Sequence, residues 1–168
     1  MPDELNSGLS FQALSQSEQD SFRPSPTPLL VKLEAGQCVY KWTQYTQLVS
    51  PKGSITEYWF PWDNIDIGSQ HIPGFVELRT RHANRDGSVG RPQQFARALG
   101  AVTEQWNDMS SLIKAQFLKR VWGFVGITSG QRKFNDPKHP KEQDNIFWIG
   151  GAYQLVIPNL TTEWIKKL

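Results

Sequence analysis

Three short stretches of this chain combine residue types that could do chemistry. Near the C-terminal end, Ile149-Gly150-Gly151-Ala152-Tyr153-Gln154-Leu155-Val156-Ile157-Pro158 passes from two glycines into β-favouring residues and stops at a proline. Glycine in a strand pattern marks a bulge or a place where a ligand or another backbone comes close. Beyond the glycines, Tyr153, Leu155 and Ile157 share one face of a strand, and Gln154 and Val156 share the other. Gln154 is therefore either a polar residue at the edge of a core strand or a residue facing a cleft. The second stretch, Tyr40-Lys41-Trp42, sets a cation between aromatic rings in the middle of a strand. It suits a solvated face or a contact to an anion. The third, Thr128-Ser129, is a pair of hydroxyls at the end of a short strand, Phe124-Val125-Gly126-Ile127.

Other chemistries find little support. The histidines His71, His82 and His139 are far apart, and the single Cys38 supplies neither a disulfide nor a thiolate cluster. No metal site is expected. A formal charge of +2 without a dense Lys/Arg stripe carries no nucleic-acid signature. No apolar run approaches the ~20 residues that span a bilayer, and no basic-then-apolar leader opens the chain. GxSxG, P-loop and GxGxxG patterns are absent. Glu57, Asp63, Asp66 and Glu77 lie close enough in sequence for a carboxylate pair, although charged faces are the commoner cause of such density. The run Tyr58-Trp59-Phe60-Pro61-Trp62 is too dense in rings for one buried face, so at least one ring is expected to line a groove.

The elements that must position these residues follow from periodicity. Residues 1–28 are rich in Ser, Gln, Asp and Glu and end in Arg23-Pro24-Ser25-Pro26-Thr27-Pro28, which reads as a flexible N-terminal arm or linker. Residues 29–168 then form one catalytic-type domain of a size that supports a core. Strands are expected at 29–33, 37–43, 54–60 and 75–80, followed by a polar loop over 80–91. Pro92 can open a helix carrying Phe95, Leu99 and Val102. A second helix, capped by Asp108 or Ser110, would align Met109, Leu112, Ile113, Phe117 and Val121, carry Lys119 and Arg120 in its last turn, and end at Gly123. The irregular stretch 130–145 holds Arg132, Lys133, Lys138 and Lys141 and has the length of a functional loop. A final strand over 146–157 and a closing helix over 160–168 complete the chain. The order predicts an α+β domain, without βαβ alternation.

Taken in chain order, the three stretches resemble the ADP-ribosyltransferase superfamily of toxins over roughly residues 37–158. That family places a basic or small polar residue on an early strand and a Ser-Thr-Ser-like strand end after it. It finishes with a late strand that carries a catalytic carboxylate before an aliphatic run. Lys41 stands at the early basic position, Thr128 and Ser129 at the hydroxyl positions, and Gln154 at the catalytic position. Most members carry glutamate there, and several carry Gln or Glu where this chain has Ala152. A glutamine is similar to the NAD-hydrolysing necrotizing-toxin group.

The resemblance implies two packed β-sheets with flanking helices and an NAD-cleaving toxin or effector, either an NAD glycohydrolase or a mono-ADP-ribosyltransferase. NAD would be the substrate, with no metal. Gln154 would orient the ribose, Lys41 would meet the diphosphate, Thr128 and Ser129 would wall the nicotinamide pocket, and Tyr40, Tyr58, Trp59 and Tyr153 would line or stack within the cofactor site. The implied protein is a monomer, secreted or delivered into a target-cell cytoplasm, with a target macromolecule or an immunity protein as partner. Two rivals from other classes stand beside it: a non-catalytic module with an aromatic binding groove, and an adaptor or immunity protein docked through its N-terminal arm.

Overall fold

The computed structural model of the protein describes residues 3–43, 45–78, 80, 111–129, 131–132, 147–148 and 152–168. The expected loop over 80–91, the Pro92 helix, nearly all of 130–145 and the glycines Gly150 and Gly151 lie outside the described residues.

The fold is built on one long strand, β8 (Arg120–Ile127). Its residues alternate, so Val121 and Val125 join one apolar cluster while Phe124 joins another on the opposite face. Along one edge β8 pairs antiparallel with β2 (Leu29–Leu33). Its other edge is shared by two short strands. β11 (Tyr153–Val156) takes the C-terminal half, and β1 (Glu4–Leu5) pairs in parallel at Arg120 and Val121. From β11 the sheet continues through β4 (Tyr58–Pro61), β3 (Cys38–Thr43), β7 (Ser111–Phe117) and β12 (Ile165–Lys167). A hairpin of β5 (Ile65–Ile67) and β6 (Gln70–Ile72) stands apart from it, as do the paired β9 (Gln131–Arg132) and β10 (Phe147–Trp148).

β7 and β8 are joined only by Leu118 and Lys119, yet they do not pair. Three strands, β11, β4 and β3, lie between them in the sheet. So short a link between such distant strands requires the sheet to curl until the two approach each other. The concave face encloses the main core: Leu33, Val39, Trp59, Ile113, Ala115, Phe117, Val121, Val125, Leu155, Ile157 and Ile165, with Ile65 and Ile72 from the hairpin. At ~25 cal/mol per Å² of apolar surface, this enclosed face is the main source of stability.

The result is a sheet-dominated domain of coarse α+β type, with one curled sheet where two packed sheets were expected. Among the described residues the helical pieces are short: a 3₁₀ turn at Phe11–Ala13, the five-residue α1 (Gln16–Asp20) and a turn over 75–78. None is long and apolar enough to cross a membrane.

Three expected elements are corrected. The helix expected over 109–121 is, from Ser111 on, a strand, a tight turn and the start of another strand. Ile113 and Phe117 satisfy a helical stripe, but Ile113, Ala115 and Phe117 also alternate with Lys114 and Gln116. Pairing to β3 and β12 selects this period of two. The closing helix over 160–168 is instead a turn over 162–164 that leads into β12 and buries Leu160, Trp164 and Ile165. The strand expected at 75–80 is helical from 75 to 78.

The N-terminal arm is corrected as well. Glu4–Leu5 join the sheet edge as β1, and residues 9–22 lie on the convex face of β8 and β11, where Leu14 and Phe22 are buried with Phe124 and Val156. Phe11 meets Phe124 edge-on at 5.5 Å between centroids. A Cβ on Gly126 would stand 2.7 Å from Phe22 Cδ1, so this glycine is the floor on which the Phe22 ring rests.

Candidate functional site

The residues singled out by sequence divide between the two faces of the sheet. On the convex face, β11 presents Gln154 beside the end of β8, which leads into Thr128 and Ser129. All three meet the C-terminal end of α1, whose last carbonyls have no partner within the helix. Gln154 donates from Nε2 to the Ser21 carbonyl at 3.0 Å and to Ser21 Oγ at 2.8 Å. Ser129 donates from its backbone N–H to the same carbonyl at 2.9 Å, and from Oγ to the Asp20 carbonyl at 2.8 Å. Thr128 is buried and bridges to Phe22. Tyr58 hydrogen-bonds Ser17 of α1, and burial pushes its phenol above the usual range.

The sequence thus brings the hydroxyl pair and the glutamine strand together. What they hold is the chain's own N-terminal segment. Gln154 is 6% exposed beneath that segment. Its expected place facing a cleft is corrected, because residues 16–22 cover the face on which it stands. The helix they secure is also fixed at its start by a capping box, in which Ser15 and Glu18 satisfy each other's backbone N–H groups.

The concave face carries the other candidates. Lys41 lies opposite Ile113 on β7 and places Nζ 5.0 Å from the ring centroid of Trp59 on β4. Trp59 is fully buried, packs in the core with Leu155 opposite it on β11, and donates Nε1–H to the Thr56 carbonyl. Tyr153 packs against the same core. Lys41 is half-buried, and burial pulls its amine below the ordinary lysine value. Among the described residues no carboxylate pairs with it. The ion pairs among the described residues join other groups: Lys119 with Glu163, Arg120 with Glu4 and Glu34, Lys32 with Glu34, and His71 with Asp66 and Glu77.

Tyr40, the neighbour of Lys41, points the opposite way. It is buried on the convex side of β3, and its phenol is pushed up to about 12 by burial. Phe60, Trp62 and Phe75 surround it, with Trp62 stacked on Phe75 at 4.5 Å and Lys114 Nζ 4.2 Å over the Trp62 ring. The run from Tyr58 to Trp62 is divided in the same way, Tyr58 and Phe60 to one face and Trp59 to the other. That division resolves its crowding.

One constellation was not singled out from sequence. His71 on β6 is held from both sides, Nδ1 by Asp66 Oδ1 at 2.6 Å and Nε2 by Glu77 Oε2 at 2.7 Å. Both hydrogen bonds and both charges raise its pKa, that of Glu77 first. The density of Asp66 and Glu77 near His71 was the available signal. Because the two carboxylates occupy opposite edges of the imidazole, they do not converge on one point where an ion could sit. Among the described residues no group of three or more His, Cys, Asp or Glu side chains could hold a metal. Comparison of this chain with protein-family models, with curated proteins and with solved structures finds no match.

Proposed function

We propose that this chain is a non-catalytic binding module that holds an anionic group, carried on an apolar or planar body, at Lys41 on the concave face of its sheet. The observation that carries this reading is the half-buried ammonium over Trp59, for which the described residues supply no counter-charge. Desolvating a cation without a partner is unfavourable, and an anion bound there would relieve that penalty. Trp59 and Ile113 beside Lys41 are buried in the core, so the ligand meets the ammonium rather than those side chains. A half-buried lysine whose amine is pulled below its ordinary value by burial is, on physical grounds, a candidate site.

The NAD-cleaving reading, with its transferase-like pair of sheets, needs Gln154 and Lys41 on one substrate. Lys41 suits a diphosphate. Gln154 stands on the other face with its amide engaged by Ser21, which favours binding over turnover.

A pair of fluorescent probes tests the proposal. 8-Anilinonaphthalene-1-sulfonate and uncharged N-phenyl-1-naphthylamine share a ring system and differ in the sulfonate. The protein is expected to prefer the sulfonate, and Lys41→Met to weaken it alone, by the ~1.5–3 kcal/mol typical of a bond to a charged group. Equal affinity of the parent for both probes, or a preference that survives Lys41→Met, removes the site. Release of nicotinamide from NAD by the parent protein would instead establish catalysis.

A further inference from the structure

We propose that the outer edge of β2 is a self-association site, where a second copy of this chain adds its own β2 antiparallel across a two-fold axis. The site is independent of Lys41. It gives a dimer where the family resemblance implied a monomer.

The backbone shows which groups are open. Thr128 donates its N–H to the Ala152 carbonyl on the β11 side of β8, whereas the Ile127 carbonyl accepts from Arg23 on the other side. Successive residues of a strand turn their N–H and C=O groups to opposite edges, so Val121, Gly123 and Val125 turn theirs toward β2. Their register partners there are Leu33, Val31 and Leu29. Leu30 and Lys32 therefore direct their N–H and C=O groups away from β8. Among the described residues β2 pairs with β8 alone, and nothing bonds to these outward groups. Lys32 is exposed and Leu30 half-buried. An unpaired edge of this kind is a template for another strand.

The open stretch is bounded at both ends. Pro28, the preceding outward residue, has no N–H. Glu34, the following one, gives its N–H to Gln37 Oε1 and its carbonyl to the Gln37 N–H. In an antiparallel pair centred on Val31, Leu30 stands opposite Lys32 of the second copy, and Lys32 opposite its Leu30. Each pair exchanges both hydrogen bonds, so the open groups of one copy satisfy those of the other. Sliding the strand one way sets Lys32 against Pro28, which cannot donate. Sliding it the other way sets the two Lys32 ammonium groups face to face and Leu30 against the occupied Glu34. One register is thus self-complementary, as a two-fold interface requires. It also brings Leu29, an apolar residue left 36% exposed, opposite Leu33 of the second copy. A single short strand buries far less than the ~1,600 Å² of a standard interface, so the dimer is weak and depends on concentration.

Sedimentation velocity of the full chain, over an about hundredfold range of concentration, is expected to show monomer passing to dimer. Across that range, amide exchange at Leu30 and Lys32 should slow about tenfold or more. Lys32→Pro removes an outward donor and spares the β8 ladder, because edge strands accept proline at such positions. It should remain folded by circular dichroism and weaken association about tenfold or more. A protein that is monomeric at every concentration overturns the proposal, even where a foreign strand peptide binds β2. So does a dimer that persists in folded Lys32→Pro, or one in which these two amides exchange as they do in the monomer. Should Lys32→Pro not fold, exchange at the two amides of the parent decides. Sulfonate binding at Lys41 is expected to be the same in either case, so the two proposals stand or fall separately.

Discussion

Gln154 and Lys41 are polar side chains on strands that mostly pack apolar residues, and they stand on opposite faces of the curled sheet. On the convex face, residues 3–28 return to the sheet and complete the hydrogen bonds of Gln154, Ser129 and the end of α1. On the concave face, the polar end of Lys41 meets only the ring of Trp59 among the described residues. The first site is closed by the chain itself, whereas the second has no charged partner among the described residues. A polar residue on an apolar strand thus calls for a partner group. Whether that partner is the protein or another molecule depends on what the fold lays over it.

The largest effect expected is on the closed face. Phe22→Ala should destabilise the protein by ~3–5 kcal/mol, as loss of a buried aromatic ring does, and removal of residues 1–28 should cost at least as much. Denaturant unfolding measures both, and a truncated chain that melts like the parent would restore the picture of a separable arm. Next comes Gln154→Ala, expected to cost about 1–3 kcal/mol because it removes the buried donor to the Ser21 carbonyl and hydroxyl at the end of α1. The same variant should bind 8-anilinonaphthalene-1-sulfonate as the parent does. A lost sulfonate site in a folded Gln154→Ala protein would mean that the two faces are coupled.

Lys41→Met should change stability less and with a particular pH dependence. The folded-state pKa of Lys41 lies below its ordinary 10.5, so between those values the unfolded chain binds more protons. Stability due to this group therefore rises with pH across that window. The variant should be more stable than the parent at neutral pH and lack that rise, as melting temperatures from neutral to alkaline pH would show. A parent curve that falls through this range, parallel to the variant's, would contradict a desolvated Lys41.

The smallest effect belongs to His71, which is exposed. Its folded pKa is raised above 6.5, so its contribution is fully present below 6.5 and is lost as pH rises through the folded value. His71→Gln should flatten a shallow decline in melting temperature between about pH 6 and about pH 8. An unchanged decline would assign it to another group.

Much of the local structure was legible from residue patterns. β2 and β3 follow from β-rich runs separated by Glu34-Ala35-Gly36, with Gly36 at φ 93° in the turn. The division of the last strand was legible too: Tyr153, Leu155 and Ile157 join the main core while Val156 joins the convex cluster. Where patterns of two periods overlapped, as from Ile113 to Val121, the sequence did not decide between helix and strand. Pairing with β3 and β12 did, since those contacts come from residues more than forty positions away in the chain.

By itself, then, the sequence determined which residues alternate, and so that Gln154 and Leu155, or Lys41 and Tyr40, must part to opposite faces. A period of two is a property of the extended backbone and needs no partner. It could not determine which face becomes concave, or that residues 9–22 would cover the other. Those outcomes depend on the order in which strands pair, and on the two-residue link that bends the sheet between β7 and β8. The chemistry expected of Gln154 and the chemistry proposed for Lys41 differ for that reason. Burial beneath the chain's own helix satisfied one polar group, and burial on the curled face left the other without a charged partner among the described residues.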